Sequence, residues 1–278
     1  MTATPIQLSF LRDINLEEPQ DKNLPKTYKG IYAMHKYWSK KPYNLIANYI
    51  RRFSSPSDIV IDSFCGSGVT VIESVRLKRR AVGIDINPVA ILITEMGLSH
   101  VDIQALKQSF QFLKTEAKPI IDSLYQTKCL KCGSANATIT HTIWGNGYPQ
   151  EVWYECPDCK TRKDIRNASD GDFRAASEPI VSPHWYPSTQ LIENARVNAK
   201  ADMGVSNLFT QRALAGLSLL LKKIHQIEDP QVRSTLKFCF SAALPQASNM
   251  VFVIRRRGKT TGKPTKVDPK VKTTKWPK

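Results

Sequence analysis

Two sets of residues in this chain have the types and spacing to do chemistry. The first is Asp62-Ser63-Phe64-Cys65-Gly66-Ser67-Gly68, followed by a second acid, Asp85. Two glycines in three positions let a ligand press against the backbone. A helix that starts directly after them offers N–H groups with no partner of their own. An acid at the end of a second strand can accept both hydroxyls of a ribose. The second set is two Cys-x-x-Cys pairs, Cys129/Cys132 and Cys156/Cys159, with twenty-three residues between them. Four thiolates in two close pairs suit tetrahedral zinc.

The elements that must position the first set are legible around it. Residues 58–61 read as a buried strand and 69–75 as a helix. Residues 81–84 read as a second strand, ending in Asp85. Strand, glycine turn and helix form the layout of a nucleotide-type cofactor site at the edge of a parallel sheet. A dinucleotide fingerprint wants a third small residue three places after the second glycine, and Val71 stands there. A pyrophosphate also wants a glycine-rich helix start. The shorter turn favours S-adenosylmethionine, which carries no phosphate. Asn87-Pro88 supplies a helix cap with proline at the first helical position, which leaves Asp85 free for a ligand. Cys65 reads as a small residue in a tight turn, because a reactive thiol needs a positive surrounding.

At these residues the chain resembles the DNA amino-methyltransferases. The glycine motif and Gly83-Ile84-Asp85-Ile86-Asn87-Pro88 are similar to that family's cofactor motifs. His35-Lys36-Tyr37-Trp38-Ser39-Lys40-Lys41-Pro42 is similar to its methionine-end motif. The resemblance is tight over residues 30–97 and looser beyond, and some RNA base methyltransferases carry a similar turn. It implies a Rossmann-like sheet and methyl transfer from S-adenosylmethionine to an exocyclic amine of adenine or cytosine. It also implies cofactor contacts at His35, Lys36, Tyr37, Trp38, Asp62, Phe64, Cys65, Gly66, Gly68, Asp85 and Ile86.

The family's catalytic Asp-Pro-Pro-Tyr type motif is missing, so the catalytic residues are unknown. In that motif an oxygen pair accepts hydrogen bonds from the target amine, and an aromatic stacks on the flipped base. Ser182-Pro183-His184-Trp185-Tyr186-Pro187 shares its proline–aromatic look, but lacks a preceding apolar strand and reads as a connector. Three readings follow. The favoured one is the cofactor-binding part of a DNA methyltransferase, a subunit of a split enzyme or a fragment of a longer chain, inactive alone, whose catalytic motif comes from a second polypeptide. The others are a non-catalytic zinc-containing DNA-binding remnant and an RNA base methyltransferase.

The expected architecture is α/β, a Rossmann-like parallel sheet short of strands with an inserted zinc ribbon and a helical segment. Residues 1–124 form the cofactor domain, with helices over 43–53, 89–96 (ending near Gly97) and 102–124, the last interrupted at Pro119. Residues 125–166 form the ribbon, a hairpin of 138–144 and 152–155 about Gly145-Asn146-Gly147. Residues 167–254 are helical. Leu214, Leu217, Leu220, Leu221 and Ile224 form one apolar stripe, and Asp229-Pro230 starts the next helix, beside which Cys239 is expected to be buried. Residues 255–278 form a basic flexible tail.

The net charge of +16 points to a polyanionic partner, DNA. Ten Lys or Arg against Asp268 lie in the tail, which leaves about +7 for the rest. On the ribbon, Trp144, Tyr148, Trp153 and Tyr154, with Lys128, Lys131, Lys160, Arg162 and Lys163, either contact nucleic acid or pack and solvate the module. Paired cysteines indicate a reducing compartment. With no membrane-spanning run and no signal-peptide pattern, a cytoplasmic location is expected.

Overall fold

The computed structural model describes residues 24–145, 147–180, 182–194 and 199–249. The expected basic tail and the centre of the hairpin turn, Asn146, lie outside the described residues. The chain is mixed α/β and divides into two units, Met1–Ser99 and His100–Lys278.

In the first unit, strands β1 (Ile59–Asp62) and β2 (Arg80–Gly83) pair in parallel, with Ile59 opposite Arg80 and Asp62 opposite Gly83. Parallel neighbours need a crossover rather than a tight turn, and helix α2, Val69–Arg76, lies within it. Helix α1, Tyr43–Phe53, precedes the sheet and buries Ala47 and Ile50. Val69 and Ile72 of α2 pack with Tyr32, whose ring stacks on Tyr43 at 4.9 Å. The buried Glu73 carboxylate accepts from the Tyr32 hydroxyl at 2.5 Å and pairs with Arg76 at 3.2 Å. Burial, reinforced by that carboxylate, pushes the Tyr32 hydroxyl far above its usual pKa.

Helix α3, Pro88–Leu98, starts as its sequence dictates, with the Asn87 side chain accepting from the Val89 N–H. It ends just past Gly97, but that glycine is not a terminator. A Cβ there would fall 2.5 Å from Ile72 Cδ1, so Gly97 lets α3 lie close against α2.

Among the described residues the second unit contains an antiparallel sheet and four α-helices. Helix α4, Ile103–Ser123, is capped by Asp102 and runs through Pro119 without ending. Helix α5 is Asp170–Ser177, α6 is Gln211–His225 and α7 is Pro230–Ala247. Helices α4, α6 and α7 close on Leu113, Ile224, Val232 and Leu236, with Ile227 between α6 and α7. Helix α4, read from the sequence as part of the first domain, therefore belongs to this core. The buried face of α6 is Ala213, Gly216, Leu219 and Ile224, rotated from the leucine stripe. The helix is enclosed on two sides: Gly216 sits beside Ile121 of α4, and Arg212 lies 4.7 Å over the Tyr125 ring. Cys239 on α7 is exposed rather than buried.

The sheet runs β3 (Gln126–Thr127), β4 (Ala137–Gly145), β5 (Tyr148–Cys156) and β6 (Thr161–Asn167), in that order. The sequence showed only the β4–β5 hairpin. Strand β6 was hidden because its inward residue is Arg166 instead of an aliphatic. Arg166 pairs with Asp172 at 2.5 Å, with both side chains buried, and both also reach the Thr127 hydroxyl. Asp172 belongs to a capping box with Ser169 that starts α5. Burial alone would raise the Asp172 carboxyl, but Arg166 and Ser169 overcome it and hold it near 2.

The folded value lies below the ordinary carboxylate value of about 3.9. The pair's contribution is therefore complete above about pH 4 and is lost as pH falls through about 2. Urea unfolding of Asp172→Asn is expected to show a loss of about 3 kcal/mol at neutral pH, because Arg166 is left buried and unpaired. The acid-dependent loss between about pH 4 and 2 should shrink in the same variant.

Candidate cofactor and metal sites

The glycine turn stands where β1 and β2 end. Gly66 and Gly68 have φ of 52° and 72°, a region that favours glycine. Cβ atoms would be obstructed as well: at Gly66 one would meet the Tyr37 ring at 3.1 Å, and at Gly68 one would meet Thr94 Oγ1 at 2.3 Å. Gly68 is also the N-cap of α2, with no side-chain cap, so the first turn of that helix keeps unpartnered N–H groups. The Cys65 N–H donates to the Ile84 carbonyl at 2.9 Å, which ties the turn to the end of β2.

Asp85 joins the two loops. Its Oδ2 accepts from the Gly66 N–H at 2.8 Å and its Oδ1 from the Asn87 N–H at 2.9 Å. The carboxylate is therefore not free, as its position in the sequence suggested. It is held by both loops, and each oxygen keeps a further lone pair for a hydroxyl. Asp62 plays a smaller local part, accepting from the Phe64 N–H at 3.2 Å. Cys65 is buried, and that burial pushes its thiol up, the opposite of a reactive cysteine.

The segment from His35 to Pro42 approaches the turn through one side chain. Tyr37 lies against Gly66, and its hydroxyl accepts from Asn87 Nδ2 at 3.5 Å. His35 Nδ1 is 2.7 Å from the Lys36 carbonyl. Trp38, Phe64 and Ile86 point into solvent. The structure thus assembles Tyr37, Gly66, Gly68 and Asp85, with Asp62 and Cys65 shaping the turn. It does not gather His35, Lys36, Trp38, Phe64 or Ile86 into a closed pocket. A cleft of about 300 Å³ beside α1, lined by Lys26, Asn44, Arg51, Glu73 and Arg76 among others, shares no residue with the turn.

Three positioning residues escaped the sequence reading. The Lys40 ammonium donates to the carbonyls of Tyr32 and His35 and lies 5.1 Å over the Tyr28 ring. The Tyr28 hydroxyl donates to the Tyr37 carbonyl at 2.8 Å. Together they fold the segment so that Tyr37 reaches Gly66. Thr94 is the third, through its contact with Gly68. A lysine in a basic run gives no sign that its head group is spent on carbonyls.

The four cysteines converge. The sulfurs of Cys129, Cys132, Cys156 and Cys159 all lie within 4.8 Å of one another. Cys129 to Cys159 and Cys132 to Cys156 are both 3.7 Å, close to the roughly 3.8 Å that a tetrahedron with 2.3 Å zinc–sulfur bonds requires. The two turns have matching conformations, since Gly133 after Cys132 and Lys160 after Cys159 both have positive φ, 74° and 57°. The Thr161 hydroxyl, 3.2 Å from Cys159 Sγ, draws that thiol down to about 6.

The ribbon aromatics are largely committed to structure. Tyr154 is fully buried, and its hydroxyl donates to Asp164 and accepts from the Leu130 N–H of the first turn. Trp153 has Lys163 at 3.9 Å over its ring and His141 at 4.9 Å. Its indole N–H donates to Glu151. Tyr148 remains exposed. Around Ser182 there is no strand among the described residues, and the Ser182 hydroxyl instead meets Ser218 at 2.6 Å. Among the described residues no helix is long and apolar enough to cross a membrane.

Residues 11–96 match a family model described as DNA methylase, and the matched stretch holds the glycine turn, Asp85 and Tyr37. Over 100 residues the chain is 34% identical to the Type II methyltransferase M.MjaII of Methanocaldococcus jannaschii, which covers 36% of this chain and 17% of that protein. Over 47 residues it is 47% identical to the Type II methyltransferase M1.MboII of Moraxella bovis, covering 17% of this chain and 18% of that protein. The aligned stretch thus spans under a fifth of the length of either relative. No solved structure matches.

Gly68→Ala tests the turn directly. It combines positive φ with a collision at Thr94, so urea unfolding should show a loss of about 3 kcal/mol. Lys160→Gly should shift stability the other way, by about 0.5–1 kcal/mol, since a lysine at positive φ is strained.

Proposed function

We propose that this chain is the cofactor-binding part of a DNA amino-methyltransferase. The observation that carries the reading is the carboxylate of Asp85 held between the Gly66 and Asn87 amides at the ends of two parallel strands, inside a stretch that matches DNA methylases. The donor set fits S-adenosylmethionine. Asp85 keeps acceptor capacity for the ribose hydroxyls, Gly66 and Gly68 admit the ligand to the backbone, and the uncapped start of α2 offers N–H donors. Tyr37 lies beside the turn as an aromatic wall toward the methionine end. When bound, the cofactor supplies an electrophilic methyl group on a sulfonium.

This chain's residues bind and orient the donor, while holding the target amine falls to a second polypeptide or to a further part of a longer chain. The sequence contains no Asp-Pro-Pro-Tyr or Asn-Pro-Pro-Tyr segment, so no oxygen pair of that kind aligns the amine's lone pair with the methyl carbon. The partner of the assembled enzyme is DNA, consistent with the excess of basic residues. The sheet β3–β6 is a zinc ribbon in this reading. Cys129, Cys132, Cys156 and Cys159 would hold a structural ion with no open position, which stabilises a module too small to bury much.

Titration calorimetry of the full, metal-loaded chain should show S-adenosylmethionine binding. Asp85→Ala should weaken it by roughly tenfold or more, the loss of charge-assisted bonds to the ribose. Absence of heat from a folded wild-type chain would overturn the cofactor assignment. The chain alone should methylate neither adenine nor cytosine in duplex DNA. Metal analysis should return about one zinc per chain, and Cys129→Ser should release it and unfold β3–β6. A folded, metal-free wild-type protein would rule the zinc out.

A further inference from the structure

Four cations line one groove beside α1. The cleft of about 300 Å³ along that helix has Lys26, Asn44, Arg51, Glu73 and Arg76 among its walls. A second hollow of about 420 Å³, with Lys29 and Ile31 on its walls, meets it at Tyr43 and Arg76. Tyr43 is held there by stacking on Tyr32. Among the described residues Glu73 is the one acid that lines either hollow. Its carboxylate is already engaged, by the Tyr32 hydroxyl and by Arg76. No carboxylate among the described residues pairs with Lys26, Lys29 or Arg51. Arg51 gives an N–H to Asn48 Oδ1 at 3.0 Å and keeps the rest of its fork. Helix lysines elsewhere are matched, Lys118 by Asp122 and Lys223 by Glu116.

We propose that this groove binds phosphate groups in series, those of a nucleic-acid backbone or of a free polyphosphate such as a nucleotide carries. Like charges that share a groove repel one another, and a ligand with several negative charges relieves that repulsion. A single carboxylate would engage one end only, because the cations are divided between two hollows that meet at Arg76. Arginine forks match the spacing of phosphate oxygens, and lysines add point charges. The site is separate from the glycine turn. Glu73 and Arg76 stand in the last turn of α2, and roughly 12 Å of helix separates Arg76 from Gly68. No residue of the groove belongs to the turn. The inference therefore stands or falls independently of the cofactor assignment.

The test titrates the full, metal-loaded chain with tripolyphosphate and, separately, with a short DNA duplex. Salt is held at about 0.15 M, where screening over about 8 Å separates local from distant charges. The variant Lys26→Gln/Arg51→Gln removes two cations from the groove. The control, Lys107→Gln/Lys114→Gln, removes two exposed cations from α4. Both keep the ten basic residues of the segment 255–278, so that background is shared. The groove variant should bind at least one probe roughly tenfold or more weakly than the wild type, and the α4 variant should stay within about twofold. A loss confined to tripolyphosphate identifies a free polyphosphate as the ligand. A loss that extends to the duplex identifies the nucleic-acid backbone, and the slope of log K against log salt should then be shallower by roughly two. All four substituted side chains are exposed, so circular dichroism should report an unchanged fold. Equal losses in the two variants, no loss in the groove variant, or a wild type that binds neither probe would each overturn the proposal.

Discussion

One carboxylate receives a backbone N–H from each of the two loops that leave the parallel strands. The Gly66 amide belongs to the loop after β1 and the Asn87 amide to the loop after β2, and both point at Asp85. Everything at that end of the first unit follows from the arrangement. The strands must end level, as their register shows, with Asp62 opposite Gly83. The first loop must turn sharply enough to aim an amide sideways, which requires positive φ at Gly66. Helices α2 and α3 then start from fixed points, and their close approach is permitted by Gly68 against Thr94 and Gly97 against Ile72. Backbone donors to a charged acceptor are worth more than neutral pairs, so the loop geometry is held by the same group that is suited to hold a ligand.

Much of this was legible in the residues, and what was not has identifiable causes. Helices α1 to α4, α6 and α7 all follow from apolar periodicity and from caps such as Asn87, Asp102, Thr210 and Asp229, because those signals are local. The convergence of four cysteines was implied by their pairing, because a metal-like cluster needs only the right spacing. Strand β6 was not visible, since Arg166 takes an inward position that an aliphatic would normally mark, and its partner Asp172 is on another element. The burial of α6 was misjudged because its contacts come from two directions, and a single stripe assumes one. The role of Lys40 rests on carbonyls that no side-chain pattern reveals. Asp85 was expected to hold a ligand through its carboxylate, yet one of its two amide bonds depends on the path of a loop nineteen residues upstream.

The two units solve their burial problems differently. In the second, polar groups are taken inside and mostly paired, although Arg166 Nε and Gln231 Nε2 are buried without a hydrogen-bond partner. Arg166, Asp172, Thr127 and Ser169 form one connected group beside β6, and Arg212 reaches from α6 to Tyr125 and Thr142. Such a network specifies how the sheet sits on its helices, although an unpaired member would be costly. The ribbon's aromatics serve this architecture, with Tyr154 bracing the first cysteine turn and Trp153 enclosed by Lys163 and His141. The first unit has little of this. Its one buried acid among the described residues, Glu73, is shared by Tyr32 and Arg76, and the acids of its sheet stand at the strand ends, Asp62 and Asp85.

The elements of the first unit are contiguous in the chain. Helix α1, the parallel pair, α2, α3 and both loops joined by Asp85 all fall between Tyr43 and Leu98, before any cysteine of the ribbon. During synthesis, which proceeds from the N-terminus at about 5–20 residues per second, this unit emerges from the ribosome with all its strand pairing close in sequence. Its strands can register before Cys129 is made, so the order of translation separates strand pairing in the first unit from the convergence of the four cysteines. The strand-pairing step of the first unit is therefore independent of how those four sulfurs are brought together.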